Sequence, residues 1–405
     1  MKILFLPLFK MPSGHHRVAD ALTGIIEKRT SKIQCKKVDL LSYSSTFLEK
    51  AVSQVYLKWI EHTPNTYDWA YKHFAYTDSH KHCSFKGIEF FFLNKIERLL
   101  EEERPDAVVC THGFPSLLMS RLKNKNRIKI PVINVYTDYF INDIWGREGI
   151  DYHFVPTSEV KEQMIKQYEL DERRIFVTGI PVHETFLMPR AARGHSISSP
   201  KTIIIAGGSS GLGDIAGLLS KANPSFAFNY IILCGNNSQL YNELKALDKP
   251  NISPLPYISS REKMNQLYEQ ADAIITKPGG ITVSEALRKE LPIFIHSALP
   301  GQEDVNLHFL KEKQLVYALN RETSFEDQMA AVLNDELELR KWKRAVRGYF
   351  DSLQLVDTRM LFHFLYMMAS EGAYLKQMSE DMVTKKGIVS KIKKYAKKIS
   401  ISSNA

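Results

Sequence analysis

Short apolar runs alternate with longer segments of helical periodicity, and this alternation constrains the fold more than any other feature of the chain. Ile3–Phe9, Ile33–Leu40, Ala107–Cys110, Val132–Tyr136, Tyr152–Val155 and Ile175–Thr178 read as strands. Val18–Lys28, residues 46–100 and the stretches between the later strands read as helical. Strands separated by helices cannot pair as hairpins. They run parallel, with crossover helices on both faces of the sheet.

The alternation breaks at residues 189–200, Pro-Arg-Ala-Ala-Arg-Gly-His-Ser-Ile-Ser-Ser-Pro, which suit neither helix nor strand and read as a linker. It then starts afresh with Thr202–Ala206, Tyr230–Cys234, Ile252–Leu255, Ala273–Thr276 and Ile293–Ile295. The expectation is two doubly wound α/β domains, residues 1–188 and 201–345. A helical segment over 346–382 follows, then a separate tail over 383–405. With 405 residues, 44% of them hydrophobic, the chain can fill two cores. Open α/β sheets bind ligands beyond the carboxyl ends of their strands, so the cleft between two such domains is the expected site.

The net charge of +9 is concentrated at one end. From Val383 onward there are seven Lys and no Asp or Glu, which leaves the body at +2 and argues against a nucleic-acid partner. In the tail, Ile388, Ile392, Tyr395 and Ile399 share one helical side, opposite Lys391, Lys393, Lys394, Lys397 and Lys398. That pattern suits a helix lying on anionic lipid, with Lys391, Lys394 and Lys398 toward the headgroups; a solvated basic tail is the alternative. Aromatics over residues 47–92 suit either a membrane interface or an ordinary core. No run reaches the roughly 18 apolar residues of a spanning helix, and Met1–Lys10 reads as a strand rather than a signal peptide. Membrane contact is therefore expected to be peripheral, from the cytoplasmic side. None of the four cysteines forms a CxxC pair, which fits reduced thiols.

Two turns carry the clearest chemistry. Thr276-Lys277-Pro278-Gly279-Gly280-Ile281-Thr282-Val283-Ser284-Glu285 follows a strand and opens a helix. Its glycines allow close backbone approach, the helix start offers N–H groups to phosphate, and Glu285 is placed to hold ribose hydroxyls. Leu299-Pro300-Gly301-Gln302-Glu303-Asp304-Val305-Asn306 follows the next strand and offers amides and carboxylates to sugar hydroxyls. A plain glycine turn and a polar helix start are the structural alternatives.

Together these segments resemble the donor-site signature of the glycosyltransferase family that holds the peptidoglycan transferase MurG and the monogalactosyldiacylglycerol synthases. Within it, the match is closest to the bacterial processive diacylglycerol glucosyltransferases. Gly207-Gly208-Ser209-Ser210-Gly211-Leu212-Gly213 resembles the family's glycine-rich loop, Cys234-Gly235-Asn236-Asn237 its CGxN turn, and residues 154–182 the end of its first domain. The resemblance covers roughly residues 1–345. It implies a GT-B fold, two Rossmann-like domains facing a central cleft, and inverting transfer from a UDP-sugar. Gly208, Ser209, Gly211, Gly235, Asn236, Lys277, Gly279, Gly280, Thr282, Glu285, Gln302, Glu303 and Asn306 would then meet the donor.

On the other domain, Gly14-His15-His16-Arg17-Val18-Ala19 fits the family's GHxxxA pattern, which makes His15 the candidate base; a near-neutral imidazole suits that work. Met11-Pro12-Ser13 replaces the glycines that usually precede the His. Thr137-Asp138-Tyr139, followed by Trp145, resembles a signature of the lipid-glycosylating members. Asn142 stands where those members carry a His, and an Asn cannot titrate. The resemblance implies catalytic roles for His15 and Asp138, and acceptor contacts from Gly14, Tyr139, Asn142 and Trp145. It implies a lipid acceptor; a prenyl-linked sugar, a polysaccharide, a secondary metabolite and a catalytically silent sugar-nucleotide binder stay open. No Asp-x-Asp pair occurs and His80-Lys81-His82-Cys83 has no matching second cluster, so neither metal nor cofactor is expected.

Overall fold

The computed structural model describes residues 1–8, 13–44, 86–188, 200–207, 215–220, 228–320 and 322–402, with side chains except at 86–88, 216, 220, 380 and 382–402. The first half contains β1 (Lys2–Leu6), α1 (Gly14–Glu27), β2 (Gln34–Lys37), α2 (Leu40–Ser44), α3 (Lys86–Glu103), β3 (Ala107–Cys110), α4 (Gly113–Asn124), β4 (Val132–Val135), β5 (Tyr152–Val155), α5 (Ser158–Tyr168) and β6 (Ile175–Val177). The second contains β7 (Lys201–Ala206), α6 (Ile215–Ser220), β8 (Phe228–Leu233), α7 (Ser238–Ala246), β9 (Ile252–Leu255), α8 (Arg261–Gln270), β10 (Ala273–Thr276), α9 (Gly280–Arg288), β11 (Ile293–Ile295), α10 (Gln302–Glu312) and β12 (Tyr317–Ala318). Three helices close the chain: α11 (Phe325–Leu333), α12 (Glu336–Asp351) and α13 (Thr358–Ser402).

Among the described residues there are two parallel sheets of six strands, ordered β2-β1-β3-β4-β5-β6 and β12-β11-β10-β7-β8-β9. Central strands such as β3, β4 and β10 are buried at every residue, as both faces are covered by helices. The expected strand Ile33–Leu40 shrinks to Gln34–Lys37, because only those residues pair with β1, an edge carrying Lys36 and Lys37. The two-residue β12 is too short to announce itself in the sequence.

Strand order reverses direction between β1 and β3 in one sheet and between β7 and β10 in the other. Each reversal parts the flanking crossover loops and leaves a crevice beyond the strand ends. The two crevices face each other. Tyr139 of the first domain stacks on Phe309 of the second at 5.3 Å, and its hydroxyl lies 2.9 Å from Ser284 Oγ. Ion pairs Arg17–Glu285, Arg261–Asp20 and Lys313–Glu159 also cross the cleft.

The chain then returns to its first domain. Backbone N–H groups at Gln354 and Leu355 donate to the Val177 carbonyl, and the Val177 N–H donates to Gln354 Oε1. Phe364 of α13 packs among Tyr152, Phe154 and Phe176. The sequence places a boundary near residue 384, but α13 runs through it unbroken to Ser402, with no proline to stop it. Among the described residues, no helix is long and apolar enough to cross a membrane. Cys35, Cys110 and Cys234 are free thiols.

Candidate active site

Helix starts divide by how they are capped. α4, α5, α7, α8, α11 and α12 are capped by side chains: His112, Thr157, Asn237, Ser260, Ser324 and Asp335. α1, α9 and α10 start at Ser13, Gly279 and Gly301 without a side-chain cap. These three helices open onto the cleft. First-turn N–H groups have no intrahelical partner, so an uncapped start offers them to an anionic ligand.

His15 stands in the first turn of α1. Its Nδ1 lies 2.8 Å from the Thr111 carbonyl oxygen and 3.0 Å from Thr137 Oγ1. A carbonyl can only accept, so Nδ1 carries the proton and Nε2 carries the lone pair. Among the described residues Nε2 has no hydrogen-bond partner. Burial holds the imidazole below the usual histidine range; the charge of Asp138 and the Thr111 carbonyl pull the other way without overcoming it. Burial therefore favours the neutral ring, with the lone pair on Nε2. His112, from the loop after β3, packs edge-on against it with centroids 4.6 Å apart. His112 Nδ1 accepts from the Phe114 N–H, and burial keeps that ring well below the usual range too.

The Thr137–Trp145 segment forms the buried rim of the cleft on the first domain. Tyr139 is 2% exposed and its backbone N–H donates to Asn306 Oδ1. Asn142 is 5% exposed and its Oδ1 accepts from the Ile144 N–H, which makes a local turn. Trp145 packs on Tyr136 at 4.4 Å. All three are buried and packed into the rim of the cleft. Asn306 ties this rim to the second domain. At 1% exposure it donates through Nδ2 to Asp138 and accepts through Oδ1 from Tyr139, so it clamps the two domains together.

The remaining predicted residues of the second domain gather at the carboxyl end of its sheet. Glu285 is buried, accepts from Tyr268 Oη at 2.9 Å and faces Arg17 Nη1 at 3.8 Å. Burial raises its pKa above the usual carboxylate range, against the pull of Arg17 and Tyr268. Gly235 and Thr282 line one cavity with Arg17, Tyr257 and Tyr268. Glu303 accepts from the Leu299 N–H at 2.7 Å, and Lys277 tempers the upward shift that burial imposes on it. Gln302 lies beside it, half-buried in the first turn of α10, while the Asn236 side chain points to solvent. Gly208, Ser209 and Gly211 lie outside the described residues, as do His80–Cys83, and the side chains of Lys391, Lys394 and Lys398 are not described.

The paired glycines have distinct jobs. A Cβ on Gly280 would lie 2.1 Å from the Thr137 carbonyl oxygen, whereas one on Gly279 would meet nothing within 4 Å. Gly280 lets the domains touch; Gly279 borders open space. Gly14 is a packing residue as well, since a Cβ there would lie 3.1 Å from Ile281.

The family model described as Monogalactosyldiacylglycerol (MGDG) synthase matches residues 15–182, and that described as Glycosyl transferases group 1 matches residues 219–348. The uncharacterized glycosyltransferase YkoN of Bacillus subtilis (strain 168) is 42% identical over 353 residues, 87% of this chain and 93% of its own. The chain belongs to the MurG and MGDG synthase-like glycosyltransferase family. A processive diacylglycerol beta-glucosyltransferase of Bacillus cereus (strain B4264) is 28% identical over 346 residues, 84% of this chain and 87% of its own. The crystal structure of Acinetobacter baumannii MurG superposes with a TM-score of 0.54 at 15% identity, over 91% of this chain and 100% of that one, which establishes the GT-B fold.

In this glycosyltransferase, then, the family's cleft is present with a local signature. Three groups at its centre escape sequence reasoning: Arg17, His112 and Tyr268. Thr111-His112-Gly113 ends a strand at the sheet reversal, and that position is the signal that could have found His112. Tyr268 sits mid-helix in α8 and leaves no comparable mark. Among the described residues no group of three His, Cys, Asp or Glu is arranged to hold a metal.

Proposed function

We propose that this glycosyltransferase transfers a hexose, glucose foremost, from a UDP-sugar to diacylglycerol or a glycosyl-diacylglycerol, with inversion, while docked on the cytoplasmic face of the cell membrane. The reading is carried by His15, whose protonated Nδ1 is held by the Thr111 carbonyl, leaving Nε2 as the basic nitrogen. An acceptor hydroxyl bound there gives its proton to Nε2 as its oxygen attacks the anomeric carbon from the side opposite UDP. Asp138 stabilises the imidazolium as it forms. The departing diphosphate meets the uncapped N-terminus of α9 and the charge of Lys277, a form of leaving-group stabilisation that needs no metal. Glu285 takes the ribose hydroxyls. The kinship with processive diacylglycerol beta-glucosyltransferases supports a lipid acceptor. The Lys-rich end of α13 supports attachment to anionic lipid.

The test is incubation with UDP-[14C]glucose and diacylglycerol in anionic vesicles, wild type beside His15→Ala. Labelled glycolipid from the wild type alone is expected. If the wild type binds UDP yet labels no lipid, the diacylglycerol assignment fails.

A further inference from the structure

We propose that Arg17 is a donor-binding residue lent by the first domain: it sits on Glu285 in the empty enzyme and engages the diphosphate once the ribose takes Glu285. The proposal rests on the UDP-sugar reading above and adds a contact from the opposite domain.

Three observations carry it. First, Arg17 is in the first turn of α1, two residues from His15, yet reaches across the cleft to a carboxylate of α9. Second, it lines the cavity beyond the ends of β7 and β8 with Gly235, Tyr257, Tyr268 and Thr282, and among the described lining residues it is the charged one. A nucleotide bound against that wall meets the guanidinium before any other formal cation of the wall. Third, the contact with Glu285 is loose. The 3.8 Å separation is well beyond the roughly 2.7–2.9 Å of a charge-assisted hydrogen bond, while Tyr268 serves the same oxygen at 2.9 Å. A buried ion pair kept for stability alone needs close, fully satisfied geometry to offset desolvation. This pair lacks it, and a diphosphate would supply it, because a guanidinium fork matches phosphate oxygens two at a time. Thr282, in the first turn of the uncapped helix α9, lines the same cavity, so the anion would be held by one domain's helix and the other domain's arginine. Donor binding then draws the domains together around His15.

The experiment is calorimetric titration of wild type, Arg17→Gln and Arg17→Lys with UDP, UMP and uridine, alongside steady-state kinetics. Arg17→Gln is expected to weaken UDP by about tenfold or more, as befits one lost charge-assisted contact, and uridine by less than about threefold. KM for the UDP-sugar rises more than kcat falls, and Arg17→Lys lies between, keeping charge without the fork. Unchanged or tighter UDP binding by a folded Arg17→Gln overturns the proposal, with tighter binding marking Arg17 as a plug over Glu285. Equal losses for UDP and uridine overturn it as well and leave a structural ion pair. A wild type that binds none of the three ligands overturns the UDP-sugar reading itself, an outcome distinct from the other two.

Discussion

The two faces of the cleft are made from the same strand–turn–helix unit and spend their polar groups in opposite ways. On the first domain, where α1 also starts without a side-chain cap, the imidazole of His15 is held from several sides. Thr111 and Thr137 hold its Nδ1, His112 packs on its ring, and Asp138 is bound by Asn306. On the second domain, α9 and α10 begin on glycines with their first N–H groups uncapped, and the space beside Gly279 is open. One face is organised to fix a single titratable nitrogen; the other is left bare for a ligand to complete. A transferase that aligns a mobile hydroxyl with a charged leaving group needs that asymmetry, since proton transfer demands fixed geometry and anion binding demands exposed donors.

The comparison breaks most visibly at His15. His15→Ala is expected to lower kcat by about 10²–10⁴-fold while UDP affinity stays within about threefold, measured by turnover and calorimetry. Retained turnover would mean that the first domain supplies no base. Next in size is the contrast between the glycines. Gly280→Ala forces the domain contact apart and should cost about 1–3 kcal/mol in thermal or urea unfolding, with activity falling alongside. Gly279→Ala, at φ −82° and ψ 136°, should leave stability unchanged or slightly raised and weaken UDP binding alone. Equal melting temperatures for the two variants would erase the distinction between a packing glycine and a ligand-facing one. Asn306→Ala comes third. It strands the Tyr139 N–H and an Asp138 oxygen, and a loss of about 1–3 kcal/mol is expected by denaturant titration. The subtlest test is pH. Because His15 is held below the usual histidine range, the acid limb of kcat/KM should lie below about pH 6.5, activity being lost as pH falls and Nε2 gains its proton. Asp138 favours the charged ring, so Asp138→Asn should move that limb to still lower pH. A limb above pH 6.5 would show that the imidazole is not desolvated during turnover.

Much of this architecture was legible in the sequence, because fully buried parallel strands are continuous apolar runs: β3, β10 and β11 coincide with the runs that announced them. The glycine turn before α9 was legible for the same kind of reason, since its residue types have few other uses. What the sequence hid are relationships across the cleft. Nothing in Asn306 distinguishes a sugar-binding amide from a clamp until Asp138 and Tyr139 are seen to take both of its ends. Tyr139, Asn142 and Trp145 fit a motif yet face inward, because a pattern records spacing and not the direction in which a rim residue turns. Arg17 was in plain view within Gly14–Ala19, but its meaning depends on Glu285, far away along the chain.

The return of the chain onto β6 and α13's packing against the first domain have a mechanical consequence. The polypeptide passes between the domains twice, once between Met188 and Lys201 and again between α12 and α13. A body tethered at one point can swivel freely, whereas one tethered at two points turns about the line that joins them. The second connection therefore restricts the relative rotation of the domains more than a single tether would.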